Sequence, residues 1–152
     1  MGVIRPATLA DQERLYEVVV QTGVAGKDAT PLYQDPKMLG HIYTAPYVVL
    51  APELVFLAEV DGQVEGYVCG GVDSQAYEAR LEESWWPTLR GKYPAPDVEQ
   101  RAAWSEDEKR ADWIHHPVPT PDYVVDPYPA HMPMNLMPEA REGGLGRRLF
   151  DT

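Results

Sequence analysis

Basic residues are scarce in this chain: 13 Lys and Arg stand against 24 Asp and Glu among 152 residues, a formal net charge of −11. That balance excludes general nucleic-acid binding, which needs a basic stripe to neutralise phosphates, and leaves room for a cationic acceptor. Cysteine is nearly absent as well. Cys69 stands alone, so the chain can close no disulfide on itself, and its setting in EGYVCGGV is a strand interior, where a thiol acts as a small buried hydrophobe rather than a nucleophile. No apolar run approaches the roughly 18 residues of a membrane span, and the opening MGVIRPATLADQ has neither the basic nor the apolar stretch of a secretion signal. A cytoplasmic protein without a membrane partner is expected.

What is present suits one folded domain. The length is enough to bury a core without staples, and 44% apolar residues with four Trp argue against disorder. Val3 to Thr8 reads as a short strand broken by Pro6. TLADQERLYEVVVQTG then reads as a helix with Thr8 or Asp11 as caps, Leu15, Val18, Val19 and Thr22 at helical spacing, and Gly23 as its end. GVAGKDATPLYQDP is expected to be loop. Pro36 to Pro52 reads as a short helix followed by an extended piece, with Pro46 and Pro52 as breaks.

The clearest local signal is LVFLAEVDGQVEGYVCGGVD, Leu54 to Asp73. Two β-rich runs flank Asp61-Gly62, the dipeptide that supplies the positive φ values of a tight hairpin turn. From Ser74 to about Asp126 the composition changes to two helical stretches and a proline-rich connector, as expected of an insertion between strands. AHMPMNLMP resumes an extended pattern with Ala130, Met132, Met134 and Leu136 on one face.

NLMPEAREGGLGRRLF, Asn135 to Phe150, places a glycine-rich loop before a helix start. There the first backbone N–H groups lack partners and the helix dipole presents partial positive charge. Gly143, Gly144 and Gly146 carry no side chain to hold an anion away, and three of the chain's 13 basic residues, Arg141, Arg147 and Arg148, fall within these positions. A phosphate ligand is expected. Neither the nucleoside-triphosphate loop nor the dinucleotide Gly-x-Gly-x-x-Gly fits, since after Gly144 and Gly146 the third position is Leu149.

What does fit is Arg-x-x-Gly-x-Gly, Arg141 to Gly146, preceded by Leu136-x-Pro138. It resembles the coenzyme A loop of the Gcn5-related N-acetyltransferase superfamily. IRPATLADQERLYEVV is similar to that superfamily's opening strand and helix, and VFLAEVDGQVEGYVCGG to its second and third strands. DATPLYQDPKMLGHIYTAPYV, LEESWWPTLRGKYP and YPAHMPMNLMPE further resemble bacterial acetyltransferase-like proteins related to the C-terminal domain of O-GlcNAc hydrolases. The likeness covers essentially the whole chain.

It implies an α/β fold: a mixed, mostly antiparallel sheet flanked by helices, with a helical insertion over residues 74–126 between the third and fourth strands. It implies acetyl-CoA as donor, with the Met134 and Leu136 backbone pairing the pantetheine amides and Arg141, Glu142, Gly143, Gly144, Leu145, Gly146 and Arg147 forming the pyrophosphate loop. The acceptor is an amine, on a small molecule or a protein, and no metal is required.

The chain departs from the family pattern in three places. Glu142 stands where many members have Gly, no carboxylate lies between Ala130 and Met137 to act as base, and the strands and helix that follow the loop helix in members are missing. The domain, residues 1–152, is therefore expected to be incomplete at its C-terminus, with a second copy or further segment completing the sheet and Leu149 and Phe150 finding little to pack against. The base and acid are open. Asp28, Tyr33 and Asp73 are candidates because they fall in loops or at a strand end, and His131 because its ordinary pKa is near neutrality, with a structural role as its alternative. Trp85 and Trp86 are read as core or as an acceptor groove, and His115-His116 has no third partner for a metal. The alternative to an enzyme is a catalytically silent binding module of the same fold.

Overall fold

Asp61 and Gly62 take φ of 51° and 81°, the paired positive values of a two-residue turn, and around them the chain folds back on itself. In the computed structural model, which describes residues 2–152, this hairpin joins β2 (Phe56–Val60) to β3 (Gln63–Val68). A register shift between Ala58 and Glu59 marks a bulge. β1 (Val3–Pro6) pairs with the far side of β2, and β4 (Met134–Leu136) with the far side of β3, giving the order β1-β2-β3-β4 with every neighbour antiparallel. Among the described residues no strand covers the outer edge of β4.

One face of the sheet carries the main core. α1 (Gln12–Gln21) buries Leu15, Val18 and Val19, as the helical spacing required, together with Tyr16 and Val20, and Leu15, Val18, Val19 and Val20 share the main core with Leu57, Val64 and Tyr67 of the hairpin. Full burial of one such aliphatic side chain contributes about 1.5–3 kcal/mol. The entry to α1 is held by the Asp11 carboxylate, which accepts from the Thr8 backbone N–H at 2.8 Å and pairs with Arg5 at 2.6 Å. Arg5 also reaches Glu59 of β2 at 2.8 Å, so strand, helix entry and hairpin share one ionic cluster.

The segment around Pro46 is a correction. α2 (Met38–Tyr43) is the expected short helix, but the expected extended piece is a second helix, α3 (Ala45–Leu50). Pro46 sits in the first turn of α3, where its missing N–H costs nothing. Pro52 likewise opens a short 3-10 turn.

Between β3 and β4 lies the helical insertion: α4 (Ser74–Ser84), α5 (Trp86–Lys92), α6 (Glu106–His115) and the short α7 (Asp122–Val125). Tyr77, Leu81, Trp86, Leu89, Ala111 and Ile114 join the main core. The stretch read as pure connector thus contains one helical turn, α7.

The opposite face of the sheet is covered by α8 (Leu145–Phe150). Leu149 is 1% exposed and packs with Ala58 and Val68, bordered by Ile4, Phe56, Met134 and Leu136. The expectation that Leu149 would lack packing partners is therefore overturned. Phe150, 62% exposed, conforms to it. Ala130 and Met132 are exposed, so the apolar face of the last extended segment begins only at Met134. No helix of the described residues is long and apolar enough to cross a membrane.

Candidate active site

β4 organises the site because its residues alternate in two directions. Cys69 N–H donates to Pro133 O at 2.9 Å and Met137 N–H to Glu65 O at 2.7 Å, so Pro133 and Met137 turn their backbone toward β3. In an antiparallel ladder the intervening positions of opposite parity, Met134 and Leu136, turn theirs to the open edge. The Leu136 carbonyl there is engaged by Arg141 Nε at 3.1 Å, and Arg141 Nη2 continues to Gly26 O at 2.6 Å.

β4 leads into the glycine loop. Gly143 and Gly144 have φ of 72° and 74°, and a Cβ on either would meet nothing within 4 Å. Glycine is required there by the left-handed backbone, and the space beside it is open. Among the described residues, no acceptor in the chain takes the backbone N–H of Glu142, Gly143 or Gly144. Gly146 has a different role: its missing Cβ would lie 2.9 Å from Leu136 Cδ1, so it lets α8 approach β4. The arginines are engaged within the chain, Arg147 with Asp151 at 2.8 Å and Arg148 with Gly2 O at 2.8 Å. The loop therefore offers backbone donors with arginines around them, and Leu145, 4% exposed, anchors its far side.

At the other end of β4 a cleft of about 530 Å³ opens between α2, α3, α4, α5, α6 and the segment before β4. Tyr43, Tyr47, Leu81, Trp86 and Trp113 form its apolar walls, with His131 and Pro133 at the β4 end. Trp86 is at once a cleft wall and, at 4% exposure, a core residue.

Of the four residues named as acid–base candidates, His131 alone lines the cleft. Its backbone is clamped to Gly71 by two hydrogen bonds of 2.9 and 3.0 Å, and its Nδ1 lies 2.8 Å from Ser74 Oγ. Burial lowers its pKa from the usual histidine value, with the Glu78 carboxylate opposing. Asp73 caps α4, accepting from Ala76 N–H at 2.9 Å. The Asp28 carboxylate is exposed, and the Thr30 hydroxyl together with the Thr30 N–H, which donates at 2.8 Å, lowers its pKa. Tyr33 Oη accepts from Arg110 Nε at 3.2 Å. Each of these three has a local structural partner.

Burial pushes the Cys69 thiol up to about 12, which leaves it inert near neutral pH. His115 Nε2 donates to Tyr93 O at 2.8 Å and His116 pairs with Asp112 at 3.0 Å. Among the described residues no three His, Cys, Asp or Glu side chains gather as a metal set. Sequence reasoning missed Ser74 and the tyrosines of the cleft, which no local pattern marks.

No protein-family model matches the chain. Solved structures do. A protein designated SsHAT is 36% identical, with 99% of this chain and 73% of that one covered at a TM-score of 0.86. The polyamine N-acetyltransferase of Drosophila melanogaster, which forms N-acetylagmatine, shares the fold at 16% identity and a TM-score of 0.50, over 99% of this chain and 68% of its own. A mosquito arylalkylamine N-acetyltransferase like 5b does so at 14% identity and the same TM-score, again over 99% of this chain and 68% of its own. On the strength of this fold, its open-edged fourth strand and a relative above one-third identity along nearly its whole length, the chain belongs to the Gcn5-related N-acetyltransferase superfamily.

Proposed function

We propose that this protein is an acetyl-CoA-dependent N-acetyltransferase that transfers the acetyl group to an amine by direct attack on the thioester. One juxtaposition carries the reading: a single strand with an open edge connects a loop of unpartnered backbone N–H groups at Glu142 to Gly144 with an aromatic cleft at His131 and Pro133. A donor laid along β4, with its pyrophosphate at the loop and its pantetheine amides on the backbone of Met134 and Leu136, has its reacting end at the cleft. Acetyl-CoA supplies the thioester carbonyl. The chain's own residues orient the two reactants, which alone lowers a bimolecular barrier substantially, and accept the proton that the amine loses. The finer kinship with bacterial proteins related to the C-terminal domain of O-GlcNAc hydrolases belongs to this same reading and rests on the segments quoted for it.

The test is calorimetry with acetyl-CoA on the native protein and on Gly144→Asp, beside an assay of thiol release in the presence of amines. Gly144→Asp places a carboxylate against the loop donors and is expected to weaken acetyl-CoA binding at least tenfold without unfolding the protein. Unchanged affinity in the folded variant would remove the loop from the donor site. Saturable donor binding with no thiol release for any amine would remove acetyl transfer.

A further inference from the structure

We propose that the aromatic cleft takes a monoamine with an apolar body, whose nitrogen seats against His131 Nε2. This rests on the acetyl-transfer reading and names its acceptor class. About 530 Å³ is the size of a small-molecule site, and Tyr43, Tyr47, Leu81, Trp86 and Trp113 give it walls suited to an alkyl or aryl group. The charges of the lining are few enough to count. Glu82 is matched by Arg90, which donates to both its oxygens at 2.6 and 2.9 Å. Glu78 is held by a neutral partner, Thr120, whose backbone N–H and hydroxyl donate at 3.1 and 2.5 Å. One uncompensated negative charge remains. A single ammonium satisfies it, whereas the second cation of a diamine would be stranded among aromatic rings, at a desolvation cost no partner offsets.

The imidazole faces that ligand as a proton acceptor. Ser74 Oγ lies 2.8 Å from Pro129 O and 2.8 Å from His131 Nδ1. Two oxygens that close need a proton between them, and the carbonyl can only accept, so the one hydroxyl proton points at Pro129. Ser74 Oγ then accepts from Nδ1–H, and Nε2 keeps its lone pair. Nε2 has no hydrogen-bond partner in the described chain and is not sealed from solvent, since among the described residues the one buried side-chain polar atom left without a partner is Tyr77 Oη.

The step balances without a co-reactant. The bound ammonium first gives one proton to His131 Nε2, which releases it to water, and the neutral amine then forms its N–C bond to the thioester carbonyl carbon as the C–S bond breaks. The proton leaving nitrogen passes to His131 Nε2, and the departing thiolate recovers it. His131 is the catalytic residue of this scheme. Ser74 is a positioning residue that fixes its tautomer.

Trp86 and Trp113 in the walls allow binding to be read by intrinsic fluorescence, with 2-phenylethylamine and 1,4-diaminobutane as probes and acetyl-CoA turnover measured alongside. Saturable binding and acetylation of 2-phenylethylamine, with 1,4-diaminobutane at least tenfold weaker, are expected. Glu78→Gln is expected to weaken 2-phenylethylamine binding roughly tenfold, the scale of one charge-assisted contact, with acetyl-CoA affinity unchanged. His131→Gln is expected to lower kcat about 100-fold or more, as loss of a general base does, with KM altered far less. Ser74→Ala is expected to lower kcat less than that and to shift the low-pH limb of its profile. Equal or tighter binding of 1,4-diaminobutane, no binding of 2-phenylethylamine, or an unchanged kcat in His131→Gln would each overturn the assignment. If 2-phenylethylamine binds with the expected Glu78→Gln loss but no amine is acetylated, the cleft assignment stands and acetyl transfer falls.

Discussion

Gly71 and His131 are locked face to face: Gly71 N–H donates to His131 O at 3.0 Å, His131 N–H donates back to Gly71 O at 2.9 Å, and the imidazole occupies the place of a Gly71 side chain. A Cβ at Gly71 would lie 2.5 Å from His131 Cε1 and 3.0 Å from Nε2, so the ring must move for it to fit. Gly71→Ala is therefore expected to cost about 1–3 kcal/mol of stability and to depress turnover beyond what that loss explains, because the Ser74–His131 contact is displaced with the ring. Thermal melts and kcat measured well below the melting temperature separate the two effects. Native kcat in Gly71→Ala would show that the ring position does not matter to turnover.

The pH dependence follows from His41 and His131, whose pKa values burial lowers from the usual 6.5. Above about pH 6.5 both are neutral in the folded and unfolded chains and contribute no slope. As pH falls below that value the unfolded chain binds protons that the folded one resists, so stability declines toward the lowered folded values. His131→Gln is expected to flatten that decline between about pH 7 and pH 5, read as urea midpoints against the native protein. The groups facing His131 from α3 and α4 are the Ser74 hydroxyl, the rings of Tyr47 and Tyr77, all neutral over this range, and the Glu78 carboxylate, which opposes the lowering. The low-pH limb of kcat should accordingly fall at a pKa below the ordinary histidine value. A parallel stability decline in native protein and variant would remove His131 as its source.

Tyr77 stacks on Tyr47 at 4.5 Å between ring centroids. Among the described residues nothing meets Tyr77 Oη in hydrogen-bonding geometry, and it is buried without a partner. An orphaned buried hydroxyl costs about 1–3 kcal/mol of desolvation. Tyr77→Phe is expected to leave stability unchanged or to raise it by about 1 kcal/mol, with the stack intact. A loss above about 1 kcal/mol in chemical denaturation would mean that the hydroxyl has a partner.

The hairpin was legible because Asp61-Gly62 determines its turn within two residues, and α1 because its apolar spacing repeats over ten. Pro46 misled because a proline in the first turn of a helix and a proline that ends one look alike in sequence. Gly146 was read with Gly143 and Gly144 as a ligand-facing glycine, whereas only the latter two have left-handed backbone and open space beside them. The cleft was legible only at Trp86, read as core or acceptor groove and serving as both, and at His131. Its walls come from five helices and a proline-rich segment, and the partner that orients His131 lies 57 residues away. Gly70-Gly71 after Cys69 was a further sign, since glycine at a strand end often marks a close approach.

Leu149 offers the sharpest test of how α8 is held. The helix has only six residues, too few to be stable by propensity alone, so its position rests on Leu145 and Leu149, 4% and 1% exposed. Leu149 fills the space between Ala58, Val68, Met134 and Leu136. Leu149→Ala is expected to cost about 2–5 kcal/mol, the range for a large core side chain cut to a methyl. The same contact holds the Gly143-Gly144 loop against β4, so acetyl-CoA affinity should fall with it, even under conditions where the variant is fully folded. Phe150→Ala, at a side chain 62% exposed, should change stability by less than about 0.5 kcal/mol and leave affinity untouched. Equal losses from the two substitutions in chemical denaturation would show that α8 is not seated through Leu149.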